Sequence, residues 1–208
     1  MNTTKFKFLL PLMVSLSLSY SIVAQDVLTV KDPLTIKASA DMYVKGALTG
    51  VSGSTGKITN NGTLNLTGHW TNNVSSSFLT GTGEVVFNAT TASQTIGGSS
   101  TTSFNDLTVD NSGGDVLLTQ DIFVENTLSM VTGDLDLQNS TANLGTTGSI
   151  TLESETTRIK VSDINNHTGT IRATCTLNGD EAAYNPASIG VKITNNQSLG
   201  DITVVRGH

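Results

Sequence analysis

The chain has 208 residues, a formal net charge of −6 and only 13% charged residues, about half the charged fraction of an average globular protein. Its 11 lysines and arginines are too few for a phosphate-binding surface, so nucleic-acid binding is not expected. The 37% hydrophobic content excludes a disordered chain, and 20 glycines without a triplet period exclude collagen. Abundant Thr, Ser, Asn and Gly favour an all-β protein.

The N-terminal segment has the organisation of a secretory signal peptide. Lys5 and Lys7 form a short basic region, and residues 8–18 form an apolar region too short to cross a bilayer. Small residues follow, and we expect cleavage between Ala24 and Gln25. The alternatives are cleavage after Ser21 and a retained membrane anchor, although no stop-transfer pattern follows the apolar region.

Cleavage after residue 24 would leave an exported mature domain, residues 25–208. We expect this domain to be secreted or held at the cell surface and to have no membrane span. Subtracting the two lysines from 11 basic residues leaves 9 against 17 acidic residues, a mature charge of about −8. The single cysteine, Cys175, allows no intramolecular disulfide.

Pairs of apolar residues two positions apart recur along the chain, and residues two apart share one face of a strand. The pairs are Met42/Val44, Leu64/Leu66, Val85/Phe87, Leu107/Val109, Leu128/Met130, Ile150/Leu152, Ile171/Ala173 and Val191/Ile193. Their spacings are 22, 21, 22, 21, 22, 21 and 20 residues, a period in the solenoid range. We therefore predict a parallel β-helix with 21–22 residues per coil and roughly eight coils. A β-sandwich is the alternative.

Two further series accompany the pairs. Two residues before six successive pairs stands a Gly or Asn, which predicts a stacked turn with positive φ. These residues are Gly62, Gly83, Asn105, Asn126, Gly148 and Gly169. A second series of apolar residues predicts another strand in each coil. The spacing between the third and fourth members of this series is shorter than the others, which predicts a different loop length there. Its members are Ile36, Ile58, Leu79, Ile96, Leu117, Leu137 and Ile159.

The residues between the paired positions are expected to point outward. In chain order they are Tyr43, Asn65, Val86, Thr108, Ser129, Thr151, Arg172 and Lys192. Because Leu107 points inward and Thr108 outward in this scheme, Leu107→Asp is expected to abolish folding. Thr108→Asp is expected to be nearly neutral.

Several short motifs resemble the repeats of long secreted surface proteins of Bacteroidetes. In chain order they are Gly68–Asn72, Gly81–Phe87, Gln94–Gly98 and Phe104–Leu107, and the resemblance covers about residues 60–208. It implies a β-helical stalk or adhesin-like region of the kind often exported by the type IX secretion system. Because no sorting domain is visible, we expect residues 25–208 to be a fragment of a longer architecture or to have a partner that caps the last coil.

No sequence motif for a catalytic centre is found, so we expect no enzyme, no catalytic, cofactor-binding or metal-binding residues, and no cofactor. His69, His167 and His208 are far apart and are expected at the surface or in turns. Trp70 is expected to pack as a corner anchor, and stacking on a sugar ring is the alternative.

Acidic residues alternate with apolar ones in two places. The pairs Asp134/Asp136 and Glu153/Glu155 are expected on the solvated outer face, with a weak calcium site as the alternative. Cys175 has the same parity as the inward residues before it and is expected to be a small buried hydrophobe.

The sequence favours an exported, non-catalytic structural module of adhesin type, with glycans or cell-surface components as partners. The alternative is a polysaccharide-binding or polysaccharide-degrading β-helix protein, which would need a groove with carboxylates and aromatic rings. A minor alternative is an ice-binding solenoid, which would need stacked threonines. The outward series is mixed and does not supply them.

Overall fold

The computed structural model describes residues 27–179 and 181–207, without the side chain of Glu181. The predicted signal peptide and His208 lie outside the described residues. The chain is all-β, with 51% strand and 2% helix, and its strands stack in parallel as a β-solenoid of about six turns. The predicted fold class is confirmed, although the predicted eight coils are too many.

The strands are β1 Val27–Val30, β2 Leu34–Ile36, β3 Asp41–Val44, β4 Ala47–Gly50, β5 Ile58–Asn60, β6 Thr63–Leu66, β7 Trp70–Asn72, β8 Leu79–Thr80, β9 Glu84–Phe87, β10 Gln94–Gly98, β11 Thr102–Asp110, β12 Val116–Leu118, β13 Ile122–Thr132, β14 Leu135–Asp136, β15 Thr141–Asn143, β16 Ser149–Thr151, β17 Ile159–Lys160, β18 Thr170–Leu177, β19 Glu181–Tyr184, β20 Ile193–Asn195 and β21 Gly200–Gly207. A 3-10 turn spans Pro186–Ser188.

The solenoid strands form three faces. One is a seven-stranded sheet in the order β1-β4-β7-β10-β12-β14-β17, and another is a three-stranded sheet, β2-β5-β8. The largest is a nine-stranded sheet in the order β21-β18-β15-β13-β11-β9-β6-β3, with β16 also paired to β13. Pairing is parallel except between β18 and β21 and in the separate hairpin of β19 and β20.

The nine-stranded sheet confirms most of the predicted repeat. Equivalent residues of successive coils face each other, so the apolar pairs form two buried files. The first file is Met42, Leu64, Val85, Leu107, Leu128 and Ile150, and the second is Val44, Leu66, Phe87, Val109 and Met130. Burial of each such side chain contributes about 1.5–3 kcal/mol, and these files hold the coils together.

Beyond Ile150 the predicted repeat is wrong. Leu152 has a positive φ of 62° and is 66% exposed, so the chain leaves the ladder there. Ile171 and Ala173 are buried as predicted, but Ile171 pairs with Ala142 and not with Ile150. The predicted last coil is instead a hairpin, in which Ile193 pairs antiparallel with Tyr184.

The predicted positive φ at the Gly/Asn position is also wrong, since none of those residues has it. The glycines are needed because neighbouring coils approach closely there. A Cβ at Gly62 would lie 2.2 Å from the carbonyl oxygen of Ala40, and one at Gly83 would lie 2.3 Å from that of Gly62. Asn105 and Asn126 lie inside the long strands β11 and β13, beside a β-bulge.

The residues of the second apolar series do not stack on one another in a single sheet. Ile58 and Leu79 pair in the three-stranded sheet, whereas Ile96 and Ile159 belong to the seven-stranded sheet. Leu117 is only half-buried. The inward file of the seven-stranded sheet includes Leu48, Trp70, Ile96 and Leu118.

The edge of the last parallel strand, which the sequence predicts to be open, is paired by the chain itself. Strand β21 runs antiparallel along the whole of β18, from Gly200 opposite Leu177 to Gly207 opposite Thr170. Arg206 of β21 also reaches back to Glu153, with nitrogen–oxygen distances of 2.9 and 2.7 Å.

Candidate functional site

The cross-section of the solenoid changes between the third and fourth turns. In the third turn, residues 73–83 connect β7 to β9 and include β8. In the fourth turn, residues 99–101 alone connect β10 to β11, and the three-stranded sheet ends at β8, because β11 pairs with β9 and β13 and not with β8. The surface therefore has a step along β8.

An aromatic cluster fills the interior beneath this step. Trp70 lies 5.5 Å from both Phe78 and Phe104, measured between ring centroids, and Phe104 lies 6.4 Å from Phe87. The Trp70 ring is fully buried, and its Nε1 donates a hydrogen bond to Thr102 Oγ1 at 3.0 Å. Trp70 is thus a packing residue, as predicted, and its buried ring cannot stack on a sugar.

The step forms an open groove of about 320 Å³, within the lower range of ligand sites. We call it the step groove. Its lining consists mainly of hydroxyl groups, with one amide and one carboxylate. The lining residues are Ser76, Ser77, Leu79, Thr80, Gly81, Ser103, Asn105 and Glu125.

Several polar groups of the step groove are available to a ligand. Asn105 donates through Nδ2 to the carbonyl oxygen of Thr82 at 3.1 Å and to Asp106 Oδ2 at 2.7 Å, so its amide oxygen is the group that it offers to a ligand. Among the described residues, no side chain or backbone group hydrogen-bonds to the hydroxyls of Ser76 and Ser103 or to the exposed carboxylate of Glu125.

An exposed aromatic ring lies on the strand next to the groove, although it is not one of the lining residues. Phe123 is 42% exposed, and its Cα pairs with that of Ser103 across β11 and β13, about 4.8 Å away. Glu125 is two residues further along β13, so both side chains lie on the outer side of that strand. The sequence analysis singled out neither residue. The shortened spacing between Leu79 and Ile96 did not indicate the groove, because these two residues belong to different sheets.

The predicted solvated acidic pair Asp134/Asp136 is instead buried, at 7% and 2% exposure. Asp134 forms ion pairs with Lys160 at 2.8 Å and Arg158 at 3.2 Å, and Lys160 also contacts Asp115 at 3.0 Å. These partners belong to neighbouring coils and allow the charge to be buried.

The ion pairs also shift two pKa values. Desolvation by burial acts to raise the pKa of Asp134, but hydrogen bonds from Lys160 and Arg158 outweigh it, so this pKa is lowered. Desolvation acts to lower the pKa of Lys160, but hydrogen bonds to Asp134 and Asp115 outweigh it, so this pKa is raised. The two directions agree with a mutual ion pair.

Asp136 is held by backbone donors. It accepts hydrogen bonds from the N–H groups of Gln138 at 3.1 Å and Ser162 at 3.3 Å. In the second acidic pair, Glu153 binds Arg206 and is half-buried, whereas Glu155 is exposed. Within the described ranges, no cluster of three or more His, Cys, Asp or Glu side chains is placed to hold a metal ion.

The remaining candidate residues occupy their predicted environments where these are described. His69 is exposed, and its Nδ1 accepts a hydrogen bond from the N–H of Thr95 at 3.0 Å. His167 is half-buried and directly follows a turn, which its N–H closes by donating to the carbonyl oxygen of Asp163 at 2.8 Å. Cys175 is buried in β18, as predicted.

Comparison of the chain with known protein families, curated proteins and solved structures finds no match. None of the helical residues in the described ranges forms a helix long and apolar enough to cross a membrane. The class of the protein is defined by its fold and its groove alone. It is an all-β parallel solenoid with a polar groove where its cross-section changes.

Proposed function

We propose that the protein is an exported, non-catalytic structural module of a cell surface, with an adhesin-like role. The observation that carries this proposal is the in-register stack of coils around two continuous buried files. About six turns at about 4.8 Å each give a rigid body roughly 30 Å long. Such a body holds a binding surface away from its point of attachment.

Side-chain contacts between coils support a load-bearing role. Lys160 joins Asp115 and Asp134 of the preceding turns, and Arg206 fastens the terminal strand to Glu153. Because backbone pairing in a solenoid joins only neighbouring coils, the Lys160–Asp115 ion pair, which reaches back two turns, increases the cooperativity of the stack.

The proposal of export rests on the predicted signal peptide and on the resemblance to Bacteroidetes surface proteins. We expect the full chain, expressed with a C-terminal tag in a Bacteroidetes host, to be exposed to added protease on intact cells. We expect the mature N-terminus to be Gln25, determined by mass spectrometry. A tagged protein that keeps residues 1–24 and stays protected from protease would contradict export.

The adhesive role is tested by attachment. Beads coated with the mature chain should adhere to glycan-coated or cell-coated surfaces under flow more strongly than beads coated with the heat-denatured chain. Equal adhesion of the folded and denatured chains would contradict an adhesive role of the fold.

Ice binding is a second candidate, supported by threonine files that the sequence analysis missed. Thr29, Thr49 and Thr71 stack on the outer side of the seven-stranded sheet. A second file on the three-stranded sheet consists of Thr35, Thr59 and Thr80. Each file places hydroxyl and methyl groups at the spacing of successive coils, about 4.8 Å.

Thermal hysteresis measurements test this candidate. If the first file binds ice, Thr49→Lys should abolish hysteresis, whereas Thr151→Lys, at an exposed threonine of the nine-stranded sheet, should preserve it. A parent protein without hysteresis would eliminate ice binding.

A further inference from the structure

We propose that the step groove binds a neutral oligosaccharide, with Glu125 and Asn105 as hydrogen-bonding groups and Phe123 as the stacking platform. This inference rests on the proposed adhesive function and specifies the chemistry of its receptor. It concerns binding at one place on the solenoid, so it can fail while adhesion by another surface persists.

The lining matches the two kinds of surface that a pyranose presents. The hydroxyls of a sugar both donate and accept hydrogen bonds, and the groove offers hydroxyls of Ser76 and Ser103, the Asn105 amide and the Glu125 carboxylate. The flat C–H face of the ring is apolar, and an exposed aromatic ring such as Phe123 covers such a face.

The position of these groups favours simultaneous contact. Ser103 and Phe123 are paired across adjacent strands, and Glu125 follows two residues later on the outer side of β13. Both strands lie in the middle of the nine-stranded sheet, a rigid support that lowers the entropic cost of binding. Residues 73–78 and β8 form the opposite wall through Ser76, Ser77 and Thr80.

Charge selects among glycans. The groove has one carboxylate and no basic lining residue, and the chain has a formal net charge of −6. A uronic-acid polymer would bring carboxylates towards Glu125 and would be repelled. A neutral glycan would instead donate hydroxyl hydrogen bonds to this carboxylate, and these bonds are strengthened because the acceptor is ionised.

Affinity electrophoresis of the mature protein in native gels tests the proposal. The probes are the neutral polymers laminarin, mannan, xylan and starch, and the anionic polymers alginate and polygalacturonate. We expect at least one neutral polymer to retard migration and the anionic polymers to leave it unchanged. Phe123→Ala and Glu125→Ala should each weaken retardation by about tenfold, a loss of about 1.4 kcal/mol.

Matched variants control for general effects. Tyr43 is also an exposed aromatic residue on the outer side of the nine-stranded sheet, with 43% exposure, so Tyr43→Ala should bind as the parent does. Glu155→Ala removes an exposed carboxylate outside the groove and should also bind normally. Phe123→Tyr should retain binding because it keeps the ring. Thermal unfolding of each variant shows whether it is folded.

The outcomes separate this inference from the proposed adhesive function. Absence of retardation by every neutral polymer, or equal retardation of the Phe123 and Tyr43 variants, would overturn the groove as a glycan site. Stronger binding to alginate than to the neutral polymers would overturn the charge argument. If beads coated with the folded Phe123→Ala and Glu125→Ala variants still adhere, adhesion belongs to another surface. If beads coated with the parent protein do not adhere, the adhesive role itself is contradicted.

Discussion

Close approach between coils explains why glycines recur just before strands of the nine-stranded sheet. At Gly62 the φ angle lies outside the left-handed region, and the carbonyl oxygens of Ala40 and Lys37 lie 2.2 and 2.5 Å from an added Cβ. The sequence shows that small residues recur there, but two different causes, backbone handedness and steric contact with the preceding coil, leave the same pattern.

Two substitutions at Gly62 distinguish these causes. We expect Gly62→Ala and Gly62→Asn to destabilise the protein by about 1–3 kcal/mol or more, because both add a Cβ against backbone. A left-handed position would tolerate Asn better than Ala. The measurement is urea unfolding, with Gly207→Ala as a control, since nothing lies within 4 Å of a Cβ there. A stable Gly62→Asn variant would contradict the steric explanation.

Burial also changes the expectation for Thr108. It does lie in the outward file, but it is only 8% exposed, and its hydroxyl donates a hydrogen bond to Glu84. The alternation of apolar and polar residues predicts whether a side chain points into or out of the solenoid. It does not show how far neighbouring side chains cover an outward side chain. The predicted neutrality of Thr108→Asp is therefore replaced by an expected destabilisation.

Thr108→Asp should lower the melting temperature at pH 7 because it places a second carboxylate beside Glu84. The effect should shrink below about pH 4, where carboxyl groups become protonated. Thr151→Asp is the matched control, because Thr151 belongs to the same outward file and is exposed. Equal melting temperatures of the two variants at pH 7 would show that burial of Thr108 has no consequence.

At the level of strands, alternation predicted one face well and the others poorly. The nine-stranded sheet was predictable because its inward pairs recur at almost constant spacing from Met42 to Met130. The inward file of the seven-stranded sheet contains Leu48, Trp70, Ile96 and Leu118, and its steps of 22, 26 and 22 residues conceal the repeat. Loops of unequal length precede these strands, so the sequence alone did not align them.

The candidate site was even less predictable, because it forms where strand pairing ends at β8. Ser76 and Glu125 are separated by two turns of the solenoid, and both line one groove because β11 pairs with β9 and β13 and not with β8. The pattern of apolar residues carries no information on such a break in pairing.

The ion pairs between strands make stability depend on pH. Hydrogen bonds from Lys160 and Arg158 keep the pKa of Asp134 below its unfolded value despite the opposing effect of burial. The stabilisation is therefore fully present above the unfolded pKa, about 4, and is lost as the pH falls through the folded pKa.

Asp134→Asn should reduce the free energy of unfolding by about 1–3 kcal/mol at pH 7, since Lys160 loses a charged partner. The difference from the parent should diminish as the pH approaches 3. Chemical unfolding at several pH values measures it, and Glu155→Gln, at an exposed carboxylate, is the control. A difference that stays constant between pH 7 and pH 3 would exclude the ion pair as its cause.

Over the whole molecule, a solenoid lacks the single central core of a globular domain, because each coil packs only on its neighbours. Leu107 lies in the middle of its file, between Val85 and Leu128, whereas Met42 in the first described turn has one such neighbour, Leu64. Truncation of the side chain should therefore destabilise a different number of coils at the two positions.

Leu107→Ala should cost about 2–5 kcal/mol and weaken the coils on both sides, because it leaves a cavity at a fully buried site. Met42→Ala should instead cause local opening of the first turn, with faster amide exchange in β3 and in the backbone that pairs with it. Hydrogen exchange followed by mass spectrometry measures both patterns under native conditions. If Met42→Ala accelerates exchange equally in β3 and in β13, the molecule unfolds as one cooperative unit and the nearest-neighbour description is incorrect. If exchange rises only in β3 and in β6, which pairs with it, the coils retain independent stability.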